Sequence, residues 1–136
     1  MSHLVVFDTN VLVSYLLPTK KLTAVKQAIG TMVDKIAVPI YSDDIMEEYE
    51  DVLYRPKFSF SHMAVQKVLG FIRCNGFHIN PVSVPVQFTD ASDRCFYDAA
   101  LSSGAWLVTG NKRHFPNEPF IVTPAEYLAR LAQTDG

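Results

Sequence analysis

Three acidic side chains stand where a carboxylate is costly unless something makes use of it. Asp8 follows the apolar run His3-Leu4-Val5-Val6-Phe7 directly and leads into Thr9-Asn10. Glu48 sits inside the acidic segment Asp43-Asp44-Ile45-Met46-Glu47-Glu48-Tyr49-Glu50. Asp93 ends Asp90-Ala91-Ser92-Asp93, just ahead of Phe96, Tyr97 and Ala100. A carboxylate beside a core is destabilising unless it is satisfied. Adjacent anions raise one another's pKa values unless a cation is present. Oxygen donors without a Cys or His cluster select a hard ion, Mg²⁺ or Mn²⁺. Such an ion activates water and neutralises a phosphodiester during in-line displacement. Each acid also has a plainer role open to it. Asp8 and Asp90 suit helix caps or turns, and most of the acids between 43 and 50 suit a solvated helix face.

The elements that would position these acids alternate between strands and helices. His3 to Phe7 reads as a buried strand. Val11 to Leu17 reads as a short helix stopped by Pro18. Leu22 to Asp34 has helical spacing, with Val25, Ile29 and Val33 at four-residue intervals. Ile36 to Ile40 is β-branched and apolar, hence a strand. Ser42 fits an N-cap, with acids in the first turn where the helix dipole favours them, and that helix stops before Pro56. Ser61 to Cys74 reads as a helix ended by Asn75-Gly76. Phe77 to Ile79 and Val82 to Val86 read as short extended pieces. A helix capped by Ser92 or Thr89 runs to Ser103 and closes at Gly104. Trp106 to Val108 and Phe120 to Val122 read as strands, and Pro124 opens a last helix. This alternation predicts a three-layer α/β/α sandwich around a mostly parallel sheet, a single domain over 1–136. Ligands of such sheets bind outside the strand carboxyl ends.

Helical geometry sorts the acids further. On a wheel of about 100° per residue, Glu47 points away from the stripe Ile45, Met46, Tyr49, Val52 and Leu53, while Glu48 lies at its border. Asp93 shares a face with Phe96, Tyr97 and Ala100 and is expected to point toward the sheet, with Asp98 well off that face. Asn111 follows Trp106-Leu107-Val108-Thr109-Gly110, a strand-end place like that of Asp8, but it carries no charge.

Composition narrows the class. Of 136 residues, 49% are hydrophobic, so the chain can bury a real core. The net charge of −2 argues against a purely charge-driven grip on nucleic acid. Lys20-Lys21, Arg55 with Lys57, and Lys112-Arg113-His114 are local basic patches, each of which suits a solvated surface. No apolar run is long enough to span a membrane, and the N-terminus has no secretory pattern. Cys74 and Cys95 have no metal-ligand spacing and read as reduced, small buried hydrophobes in a cytoplasmic protein. No Gly-rich turn follows the first strand, against a dinucleotide site. A phosphotransfer receiver would need paired acids at the first strand end, where only Asp8 stands. His114 is expected on the surface or facing RNA.

The segments Phe7-Asp8-Thr9-Asn10-Val11-Leu12-Val13-Ser14, Ser42 to Leu53 with Glu48, and Asp90-Ala91-Ser92-Asp93 continuing to Thr109-Gly110-Asn111 resemble the PIN domain. Arg55-Pro56-Lys57-Phe58 is similar to the bacterial subgroup assigned as toxins of toxin–antitoxin systems. The resemblance implies a metal-dependent ribonuclease with Asp8, Glu48 and Asp93 as catalytic metal ligands for Mg²⁺ or Mn²⁺. It places Thr109 at a hydroxyl position near the site and Asn111, a weak ligand, where the family often has a fourth acid. Asn10 and Thr109 would hold the acids or their water, and Lys112 and Arg113 would guide the RNA backbone. The resemblance also implies an RNA substrate, an antitoxin partner and a homodimer. The other reading is a PIN-like module that holds RNA or a protein without cutting, which the neutral Asn111 and the low positive charge favour.

Overall fold

The computed structural model describes residues 3–19, 21–83, 85–88 and 90–134. Lys20, Thr89 and Val84, named above in a basic patch, a cap and an extended piece, lie outside the described residues.

Strand β1 (His3–Phe7) sits at the centre. Its Val5, Val6 and Phe7 are all buried. Successive strand residues point to opposite faces, so both faces of β1 are covered. It pairs in parallel with β2 (Ala37–Tyr41), His3 opposite Ala37, and with β4 (Trp106–Val108), Phe7 opposite Val108. Outside these lie the edge strands β3 (Phe77–His78) beside β2 and β5 (Ile121–Val122) beside β4, also parallel. The order is therefore β3-β2-β1-β4-β5. The chain moves outward from β1 in one direction through β3, then returns to build the other side. The reversal falls between β1 and β4, and that is where an open α/β sheet leaves a crevice.

Among the described residues six helices cover the sheet, giving the three-layer sandwich that the alternation of elements predicts. They are α1 (Thr9–Leu16), α2 (Ala24–Val33), α3 (Asp43–Leu53), α4 (His62–Asn75), α5 (Arg94–Ser103) and α6 (Pro124–Thr134). Ser42 caps α3 by accepting from the Ile45 N–H at 3.1 Å. Helix α5 packs on β1, β2 and β4, while α2 packs on β2 and α6. A buried bond of 2.8 Å between the Thr31 and Tyr127 hydroxyls ties α2 to α6.

One local expectation, the burial of Cys74, needs correction, and two other side chains take places that helical spacing leaves open. In α2 the buried face is Ala28, Ile29 and Met32, and Val33 is exposed, because the helix lies against α6 on that side. Cys74 is exposed in the last turn of α4 rather than buried. Asp98 is buried although it lies off the sheet-facing side of α5. The stretch after β3 folds over that side: Arg94 donates to the Ser83 hydroxyl at 3.1 Å and to the Val86 carbonyl, and stands 3.9 Å from Asp98.

Gly76 closes α4 where the chain turns into β3 against the backbone of β2. A Cβ there would stand 2.4 Å from the Pro39 carbonyl oxygen and 2.6 Å from that of Ile72. Both are backbone atoms and cannot swing away. Gly76→Ala is therefore expected to cost about 1–3 kcal/mol, the range for overpacking, read as a lower urea midpoint.

Candidate active site

The parallel pairing of β1 with β4 aligns the residue after each strand. The Asp8 backbone N–H donates to Val108 O at 2.9 Å, and the Thr109 hydroxyl donates to Asp8 Oδ2 at 2.8 Å. Thr109 is fully buried, and its Oγ1 accepts from the Asn111 N–H at 3.0 Å. A line of bonds thus runs from the Asn111 backbone through Thr109 to the Asp8 carboxylate. Asn10 braces the same turn, its Oδ1 accepting from the Gly110 N–H at 3.1 Å. Below them Tyr49 of α3, fully buried, donates to Phe7 O at 2.5 Å and holds the strand end. Asp8 occupies the N-cap position of α1 but makes no capping bond with its side chain. Burial pushes its carboxyl above the usual range, and the Thr109 hydroxyl partly opposes that rise.

Glu48 is half-buried at the border of α3, and Glu47 beside it is exposed. Burial also raises the Glu48 carboxyl, with Asp51, Asp90 and Asp93 adding to the rise and Arg55 opposing it. Asp93 stands at the junction of a single 3-10 turn (Ala91–Asp93) with α5. Asp90, not Ser92, caps that turn: its Oδ1 accepts from the Ser92 N–H at 3.0 Å and the Ser92 hydroxyl at 2.8 Å. These bonds hold the Asp90 carboxyl below its ordinary value.

Asp93 is the most perturbed of the acids. It is 8% exposed, and its Oδ2 is buried without a hydrogen-bond partner. His114 Nδ1 lies 3.5 Å from that oxygen, close enough for charge attraction but not aligned as a hydrogen bond. Burial first, then the charges of Asp8 and Asp90, push the carboxyl up to about 6, with His114 opposing.

Asp8, Glu48 and Asp93 line one cleft of about 320 Å³, together with Asn10, Asn111 and His114. Thr109 lies beneath it. Asn111 Nδ2 is 3.0 Å from His114 Nε2, so the neutral residue at the fourth-acid place contacts the imidazole. Lys112 is engaged by Glu126 at 3.1 Å, and Arg113 is exposed with no ion pair among the described residues. His114 is expected on the surface or facing RNA. It is exposed, but its ring nitrogens meet Asp93 and Asn111, and its position three residues past Asn111 was the available signal. Tyr49 read only as part of an apolar stripe, and nothing in its spacing announces the bond to Phe7.

A second hollow of about 980 Å³ adjoins the cleft along α3, sharing Glu48 and Ser92. Asp43, Asp44, Glu47, Asp51 and Asp98 make it strongly acidic.

The donor set fits a hard divalent ion in its chemistry: all-oxygen carboxylates, raised by burial and mutual repulsion, one with an orphaned buried oxygen. The acids are nevertheless spread around the cleft. Among the described residues, no group of three or more His, Cys, Asp or Glu side chains is gathered closely enough to hold a metal ion.

Fold and site together define the class, a parallel α/β/α domain with a cleft at the switch point of its sheet that Asp8, Glu48 and Asp93 line. The sequence model of the PIN domain matches residues 4–113, and the chain belongs to that family. PIN domains are generally nucleases, generally use divalent metal ions, and as nucleases act on RNA. No curated protein and no solved structure matches the chain. No helix among the described residues is long and apolar enough to cross a membrane.

The raised Asp93 carboxyl has a stability consequence with a definite sign. Its folded value, about 6, exceeds its ordinary 3.8, so its favourable contribution is complete below about 3.8 and is lost as pH rises through about 6. Asp93→Asn, neutral throughout, is expected to be more stable than wild type at pH ~7.5, by on the order of 1–3 kcal/mol. The gap closes as pH falls toward ~4, read from urea midpoints at both ends of that range.

Proposed function

We propose that this protein is a divalent-metal-dependent endoribonuclease, the toxin component of a toxin–antitoxin pair, with Mg²⁺ or Mn²⁺ held by Asp8, Glu48 and Asp93. The observation that carries the reading is that Asp93, whose buried Oδ2 has no hydrogen-bond partner, lines one cleft with the raised Asp8 and Glu48 carboxyls. Three destabilised anions around one small cleft are relieved by a cation, and a protein gains little from that cost unless the cation does work. When bound, the ion supplies a water of lowered pKa and neutralises the scissile phosphate. Thr109 fixes the Asp8 carboxylate, and Tyr49 fixes the strand end that carries it. Asn10 holds the Gly110 turn in place. Asn111 is a weak oxygen donor that contributes no charge, so the site attracts a second cation less than a four-acid site would. Arg113 meets the RNA backbone directly, and Lys112 does so by leaving Glu126, since an exposed pair of that kind is worth little. A small antitoxin covering the acids with a basic side chain, a homodimer and a cytoplasmic location belong to the same reading.

A second reading is a PIN module that binds RNA or a protein without cutting. The neutral Asn111 and the open spacing of the acids favour it. Two measurements separate the readings. With Mn²⁺ present, wild type is expected to cleave RNA and Asp8→Asn to lose on the order of 100-fold or more, at least the upper end seen for partners that merely support a metal ligand. Equal rates would remove Asp8 from the chemistry. Mn²⁺ titration is expected to raise the melting temperature of wild type but not of Asp8→Asn, with a gain of about 2.7 kcal/mol at ~100 times the dissociation constant. No shift in wild type favours the non-cutting module.

A further inference from the structure

Phe58 has no part in holding the acids or an ion. It is half-buried on the wall of the cleft that holds Asp8, Glu48 and Asp93. Metal-assisted hydrolysis needs no aromatic ring there. We propose that Phe58 is a stacking platform for one unpaired nucleobase next to the scissile phosphate; the proposal rests on the RNA-cleaving reading of the same cleft.

The ring is held ready for this. Phe58 ends a single 3-10 turn (Pro56–Phe58) whose proline restricts the backbone. Ser59 follows in the left-handed region at φ 53°, its N–H returning to Pro56 O at 3.1 Å. Phe60 then stacks on Phe58, with ring centroids 5.3 Å apart and planes only 5° from parallel. Two stacked rings on a tight turn lose little freedom when a third flat group is added. Base–aromatic stacking tolerates any base, because each presents a π-face.

The surrounding charge selects the same side. The hollow along α3 is lined by Asp43, Asp44 and Asp51 and repels a phosphate backbone. Phe58 lines only the smaller cleft, and its own segment carries Arg55 and Lys57. Lys57 Nζ now lies over the Phe58 ring, 5.1 Å from its centroid, and Arg55 is paired with Asp51 at 2.9 Å. Exposed cation–π contacts and exposed ion pairs are weak, and base stacking exceeds them. An arriving base displaces the Lys57 ammonium from the ring, and the ammonium then meets the adjacent phosphate. Inside a duplex both faces of a base are already covered, so a paired strand has no face to offer.

Binding is the test, with Ca²⁺ in place of Mg²⁺ or Mn²⁺, so that the three acids are neutralised while the ion used for hydrolysis is withheld. The probes are a short fluorescein-labelled RNA without self-complementarity, the same strand annealed to its complement, and an abasic strand of equal charge. Wild type is expected to prefer the single strand. Phe58→Ala should weaken its binding between roughly 5-fold and 100-fold while leaving the abasic strand unchanged. Phe58→Trp keeps the platform, so it should restore binding and show quenching of the new indole on saturation. That variant also answers the objection that the alanine protein is misfolded. Equal binding by wild type and Phe58→Ala, an equal loss on the abasic strand, or no binding of RNA by wild type each overturns the platform. Cleavage that persists unchanged in Phe58→Ala leaves the nuclease reading standing alone. Phe58-dependent binding without metal-supported cleavage does the reverse.

Discussion

Phe7 and Val108 are neighbours in a parallel ladder, and the side chains one residue further on, Asp8 and Thr109, meet through a 2.8 Å hydrogen bond. That bond joins positions about a hundred residues apart and is available only because β1 and β4 share a register. A slip of one residue would turn each side chain to the opposite face and separate the pair. The floor of the cleft is therefore set by backbone pairing, and the residues around it reinforce one geometry. Tyr49 grips the Phe7 carbonyl from one helix, Asn10 grips the Gly110 amide from another, and Asn111 steadies Thr109 through its own N–H.

The acids on that floor are held against their own preference. Burial contributes first to the raised carboxyl of each of Asp8, Glu48 and Asp93, and their mutual repulsion adds to it. The fold tolerates this because the sheet beneath is buried on both faces and dense in apolar contacts. Stability gathered in the core offsets the cost of these three carboxyls around one cleft.

Much of the architecture is legible from the chain because local signals agree with the tertiary result. The run before Asp8, the Ser42 cap and the Gly104 closure each name an element boundary, and the structure sets β1, α3 and α5 there. The border position of Glu48 also follows from helical spacing alone. What escapes is what depends on segments distant in sequence. Asp98 is buried by the irregular stretch after β3, whose path no periodicity announces. Val33 is exposed because α6 chooses the other stripe of α2. His114 looks like one more scattered histidine until β4 ends beside Asp93. The parallel rings of Phe58 and Phe60 flank the left-handed Ser59, and no residue spacing announces that turn.

Both borders of the sheet are strands of two residues, Phe77–His78 and Ile121–Val122. An exposed border is normally a template, a row of free amides and carbonyls on which a foreign strand can grow. Here each row is too brief to nucleate such growth. The sheet is blunted at both borders, so its backbone offers little for a foreign strand to pair with.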